Sequence, residues 1–149
     1  MSPFAKLTKL TPLERAAFAE ALVMLPLASA AVSLLPFRAI AKFASRPPSR
    51  TDPSQSRDEL LSAVRRAVIA CARRVPCRAK CFEQGLTALW MLRRRGMSAT
   101  LHFGSAKEEE GLIAHVWVTT EGKPVVGCDN IERFSELARF PPMSISADP

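Results

Sequence analysis

The chain has 149 residues, 48% of them hydrophobic and 23% charged, with four cysteines and a formal net charge of +7. That length suits one compact domain, and the composition excludes a disordered, fibrous or disulfide-scaffold protein. The charge is uneven, +5 over residues 1–50, +6 over 51–100 and −4 over 101–149, which suggests an acidic partner but dictates no chemistry.

The front of the chain, residues 1–44, reads as an apolar helical segment. No charged residue occurs from Ala21 to Phe37, a run slightly short of the roughly 18–20 residues of a spanning helix, and it contains Pro26 and Pro36. A secretory signal fits poorly because Glu14 and Glu20 would sit in its n-region, so the chain reads as cytoplasmic. Thr11-Pro12-Leu13-Glu14 is a helix start with a capping box. The spacing predicts two apolar helices broken near the prolines, packed on the domain or on a partner, with peripheral membrane contact as the next reading.

Residues 45–56 are polar, proline-rich and non-periodic, hence a linker. Ser56-Arg57-Asp58-Glu59 predicts a second capping box, followed by a helix burying Leu61, Val64, Val68, Cys71 and Val75. Its arginines read as a solvated face. A nucleic-acid surface is the sharper alternative, but the chain has no tyrosine, and its basic region has no interleaved aromatics or recognised reader motif. After Val75-Pro76 a new helix is expected from Cys81 through Leu92, with Arg93, Arg94 and Arg95 suiting its dipole and Gly96 ending it.

Cys81 in the first turn of that helix meets unpaired N–H groups and the positive dipole end, the setting of nucleophilic cysteines. Arg78 and Lys80 add positive charge beside it. A lone cysteine is more often structural, so a partner base is required. The cysteine spacing C-x5-C-x3-C with a distant fourth fits a zinc site poorly, and no metal is expected.

Beyond Gly96 the hydrophobic period becomes two. Strands are expected at Met97–Gly104, Leu112–Thr119 and Pro124–Asp129, and residues 141–149 read as a tail. On the middle strand Leu112, Ala114, Val116 and Val118 form an apolar core face, while His115 points the other way with Trp117 shielding it. A three-residue loop Thr120-Glu121-Gly122 would put Asp129 on the face of His115, whereas a two-residue turn would put it opposite; glycine at 122 favours the former. Asp129 could then orient the imidazole, or simply make an Asx turn at a strand end. His102 on the neighbouring strand, like Cys77 and Cys128, has no role assigned by pattern.

Cys81-Phe82-Glu83-Gln84-Gly85-Leu86, Leu101-His102-Phe103-Gly104 and Ala114-His115-Val116-Trp117-Val118, in this order, resemble the lasso-peptide leader peptidases. These are the stand-alone form of the C-terminal domain of the lasso B protein, in the transglutaminase-like (papain-like) superfamily. Arg73–Cys81 and Arg93–Gly96 follow the family pattern closely; Gly85 and Val116 replace its usual alanines, and the spacing of Asp129 from His115 varies in such proteins. The resemblance spans residues 7–129. It implies an α+β fold with the cysteine helix packed on a small antiparallel sheet, the protease domain occupying residues 57–140. It further implies cysteine-protease cleavage of the leader from a ribosomally made precursor peptide, with a small leader-recognition protein and an ATP-dependent macrolactam synthetase as partners. In those roles Cys81 is the nucleophile, His115 the base and Asp129 its orienting acid. The helix N-terminus, with Gln84 in support, holds the oxyanion. That chemistry needs no cofactor. A transglutaminase-like acyltransferase fits the same residues, and a non-catalytic scaffold using the basic face is the rival from another class.

Overall fold

The computed structural model describes residues 8–48 and 56–141. Most of the expected linker, and the tail from residue 142, lie outside the described residues.

Helix α1 spans Pro12–Leu34. Its start is the capping box: the Glu14 N–H donates to Thr11 Oγ1 at 3.2 Å and the Thr11 N–H donates to Glu14 Oε2 at 2.8 Å, satisfying two donors that a helix start leaves open. The helix continues through Pro26, contrary to the expected break. The proline ring lies on the exposed side, where the chain can bend away from it and the lost hydrogen bond leaves no buried group unpaired. The break comes instead at Leu35-Pro36, before helix α2 at Phe37–Ala44.

Ala17, Ala21, Leu25 and Ala28 are the buried positions of α1, a three-to-four spacing whose small side chains let it lie close against helices α3 (Arg57–Ala72) and α4 (Cys81–Arg94). Leu25 is fully buried, worth about 2 kcal/mol. The front segment is thus part of the main core. Helix α3 buries Leu60, Ala63, Val64, Ala67, Val68 and Cys71, and the expected Ser56 side-chain cap is not formed. The buried stripe begins at Leu60 rather than Leu61, and Val75 falls beyond the helix end.

Strands β1 (Thr100–Glu108), β2 (Gly111–Thr120), β3 (Lys123–Val126) and β4 (Ser135–Phe140) form one antiparallel sheet in the order β3-β2-β1-β4. The fourth strand was not expected from the sequence. Helix α4 packs on one face of the sheet. Leu101, Val116 and Val118 point at its Gly85, where an added Cβ would stand 2.9 Å from Leu101 Cδ1 and 3.1 Å from Val116 Cγ1.

The β2–β3 connection differs from the expected loop. Thr120 pairs with Lys123, leaving Glu121 and Gly122, both at positive φ, as a two-residue turn. Such a turn matches the twist of its flanking strands. A register shift between Val118 and Thr119 follows, and Val125 and Val126 are consecutively buried there, the mark of a bulge.

The arginines at the end of α4, expected to complement its dipole, also fasten the front segment. Arg93 is buried and donates from Nη1 to the Phe43 carbonyl at 2.9 Å, with Nη2 reaching the carbonyls of Ala44 and Ala99. It thereby adds donors to the C-terminal carbonyls of α2, of which Phe43 also accepts the Arg46 N–H at 3.2 Å. Burial lowers its pKa to about 10, so it remains a cation at neutral pH. Arg94 and Arg95 hold Glu20 of α1 at 3.1 and 2.7 Å.

Candidate active site

Cys81 opens α4, and its side chain is half-buried at the edge of the core. Lys80 is the N-cap residue but supplies no side-chain cap. The backbone N–H groups of the first turn have no partner within the helix. Two contacts shape the approach to the thiol. Gln84 Nε2 donates to the Ala79 carbonyl at 2.8 Å, so this amide ties down the loop before Cys81 rather than standing free as an oxyanion donor. Arg78 Nε lies 3.4 Å from Glu83 Oε1. Glu83 is almost wholly buried in the first turn, and this oxygen accepts no hydrogen bond. Arg78, which looked like a contributor to the chemistry of the cysteine, is therefore the counter-charge of Glu83.

Phe82 continues from Cys81 into an aromatic cluster. Its ring meets Phe103 edge-on at 5.3 Å, and Phe103 meets Phe37 and Phe140 at 5.4 and 5.7 Å. The Cys81 end of α4 is thus walled by aromatic rings from α2, β1 and β4.

His115 lies elsewhere. Because Val116 and Val118 face α4, the side chains of His115 and Trp117 leave β2 on the other side of the sheet. There the imidazole stacks on Trp117 at 6.1 Å and meets the Phe134 ring at a tilt at 4.9 Å. Its Nε2–H donates to the Gly127 carbonyl at 2.5 Å. The sheet stands between thiol and imidazole, and Cys81 makes no hydrogen bond among the described residues. Asp129 is exposed and is not hydrogen-bonded to His115. β3 pairing ends at Val126, and the positive φ of Gly127 redirects the chain before Asp129. The Gly127 carbonyl holds the imidazole through Nε2, whereas the acid was expected at Nδ1.

Trp117 is buried as expected, but it serves two histidines. His102, its register partner on β1, stacks on its other flank at 5.3 Å. His102 Nδ1 contacts the Glu136 carboxylate and Nε2 lies 2.8 Å from Thr119 Oγ1. Desolvation raises the pKa of Glu136, but hydrogen bonds from Arg139 and His102 outweigh it and hold the carboxyl below its usual range. Pattern reading missed this Thr119–His102–Glu136 chain because β4, which brings Glu136, has no clear apolar alternation. Cys71 and Cys128 are packed into the fold. Burial raises the thiols of Cys71 and Cys128, and the Cys128 thiol donates toward the Val118 carbonyl at 3.3 Å. Among the described residues no group of three metal-ligating side chains occurs.

The profile of the transglutaminase-like superfamily matches residues 21–139, from the middle of α1 to the penultimate residue of β4. No curated protein sequence matches the chain, nor does any solved structure. With its α+β architecture, an apolar helical front and a cysteine-headed helix on a four-stranded antiparallel sheet, the chain belongs to the transglutaminase-like superfamily, which includes cysteine proteases and acyltransferases.

Proposed function

We propose that this protein is a cysteine endopeptidase that removes the leader from a ribosomally synthesised lasso-peptide precursor, working in the cytoplasm beside a leader-recognition protein and an ATP-dependent macrolactam synthetase. The observation that carries the reading is the placement of Cys81. It is a half-buried thiol outside any disulfide and, among the described residues, without a side-chain hydrogen bond, at the head of a helix whose first-turn N–H groups are open, in a superfamily whose catalysis is typically cysteine-based.

The Cys81 thiolate attacks the scissile carbonyl, and the first-turn N–H groups of α4 receive the negative charge that develops on oxygen. His115, protonated at that stage, gives its proton to the leaving amine as the C–N bond breaks. Water then attacks the thioester, His115 takes the water's proton, and release of the acid returns Cys81 as thiolate beside an imidazolium. With Nε2–H engaged by the Gly127 carbonyl, Nδ1 is the nitrogen left to move the proton. Asp129 acts only as a charge that is not hydrogen-bonded to the ring.

This pairing requires His115 to come to the helix side. The first half of β2, Gly111–His115, holds no buried residue and pairs with β1 while β3 pairs only from Val118 onward. Leu112 is 78% exposed. No buried face pins that half-strand. A one-residue bulge between His115 and Val116, formed as substrate adds to the free flank of β2, turns the imidazole over and leaves Val116 and Val118 in the core.

The assay is cleavage of precursor peptide in the presence of the recognition protein. Cys81→Ala is expected to abolish it. His115→Ala is expected to slow it by roughly 100-fold to 10,000-fold, and Asp129→Asn by far less. Equal cleavage by wild type and Cys81→Ala overturns the proposal, and amide formation with an added amine, in place of a free acid, would mark the acyltransferase instead.

A further inference from the structure

The outer face of α1 carries a continuous apolar stripe. Ala16, Ala19, Leu22, Val23, Pro26, Leu27, Ala30 and Leu34 are all exposed and recur every three to four residues. The helix is long and apolar enough to cross a bilayer, yet only 22% of its most apolar window is buried, unlike a helix that is apolar because it is a core element. Spanning is excluded by its other face. Ala17, Ala21 and Leu25 are packed against α3 and α4, and Glu20 is tied to Arg94 and Arg95.

Charge decides what covers the stripe. The two acids of α1 are drawn to the protein side, Glu14 by Arg66 at 3.3 Å and Glu20 by its two arginines. Cations flank the stripe at both ends, Lys9 and Arg15 before it, and Arg38, Lys42 and Arg46 after it, all of them exposed. Among the described residues the last three have no acidic partner, and Arg46 lies over the Phe43 ring at 5.8 Å. Phe43 in turn walls a cavity of about 360 Å³ lined almost entirely by apolar side chains, among them Met24, Leu27, Leu35 and Trp90. Among the described residues the buried Trp90 indole N–H has no partner.

We infer that α1 and α2 form a peripheral docking face for an anionic lipid surface. α1 lies in the interfacial plane, its stripe meets the acyl boundary, and Arg38, Lys42 and Arg46 stand at headgroup level. A stripe interrupted only by the exposed Ser33, bordered by cations and cleared of carboxylates, suits a surface that is apolar below and negative above. The cavity beneath Arg46 offers room for the end of one acyl chain. This inference stands independently of the peptidase reading.

The test is co-sedimentation of the full chain with vesicles of phosphatidylcholine, alone or in equal parts with phosphatidylglycerol. Binding to the anionic vesicles is expected, weakened by added salt and weaker by about tenfold or more on the neutral ones. The double variant Val23→Glu/Leu27→Glu is expected to lose binding by at least about tenfold, with an unchanged thermal midpoint because both side chains are exposed. Arg38→Glu/Lys42→Glu is expected to remove the preference for anionic lipid. Absence of binding to anionic vesicles at low salt overturns the inference, as does equal binding by the Val23/Leu27 variant. A dimer that this variant disrupts, without vesicle binding, would assign the stripe to a second copy of the chain instead.

Discussion

On the helix side of the sheet, Leu101, Val116 and Val118 meet α4 through contacts that depend on volume alone. On the outer side, His102, His115 and Trp117 meet Thr119, Gly127, Phe134 and Glu136 through contacts that depend on direction as well. The helix side joins α1, α3, α4 and the sheet into one hydrophobic core and therefore carries the stability of the fold. The outer side rests on stacking and a few hydrogen bonds near solvent, worth about 1 kcal/mol each. The proposed mechanism, in which His115 must reach Cys81, would change the second kind of surface at small cost and the first only at large cost.

Substitutions on the two sides should separate these contributions. The largest effect is expected on the helix side from Arg93→Met, which leaves the carbonyls of Phe43, Ala44 and Ala99 without their shared donor. A loss of about 3 kcal/mol is expected, read as a lower urea midpoint with α2 exchanging its amide hydrogens faster.

Gly104→Ala on the outer side comes next. The new methyl would stand 2.7 Å from Trp117 Cζ3 and 3.0 Å from the Ser135 carbonyl oxygen, so the ring must move. About 1–3 kcal/mol should be lost, accompanied, in a Trp90→Phe background, by a change in Trp117 fluorescence that Arg93→Met does not produce. A stability loss with unchanged fluorescence would mean that Trp117 does not form the platform for the two histidines.

The smallest effect is expected from Glu136→Gln. The folded pKa of Glu136 is depressed, so the stability it contributes is present above its unfolded value and is lost as pH falls through the folded value. The carboxylate is partly solvated, and screening limits the contribution to at most about 1 kcal/mol. Wild type and variant should therefore differ at neutral pH and converge in acid; a difference that persists in acid would place the effect in packing rather than charge.

The helices and the candidate nucleophile were legible in the sequence because their signals are local. The Thr11–Glu14 box, the three-to-four spacing of α3 and the proline break before Cys81 each operate within one or two turns. What the sequence hid depends on long-range pairing. Arg93 looks like a dipole-complementing surface arginine until α2 is laid against it. The bulge at Val125 sets the path of the chain toward Asp129, and no residue type announces it. Glu136 becomes the partner of His102 only through the β1–β4 register, which itself shifts between Phe103 and Gly104. Pro26 shows the same limit in reverse: a residue that breaks helices on average is tolerated where its side of the helix is exposed.

The central claim is that Cys81 carries the acyl group during leader removal. Acid quenching of a reaction between the protein, precursor peptide and recognition protein, followed by peptide mass spectrometry, tests it most directly. The account predicts a thioester joining the leader fragment to Cys81, absent from Cys81→Ala. Leader cleavage with no adduct on Cys81 and unimpaired turnover by Cys81→Ala would contradict it.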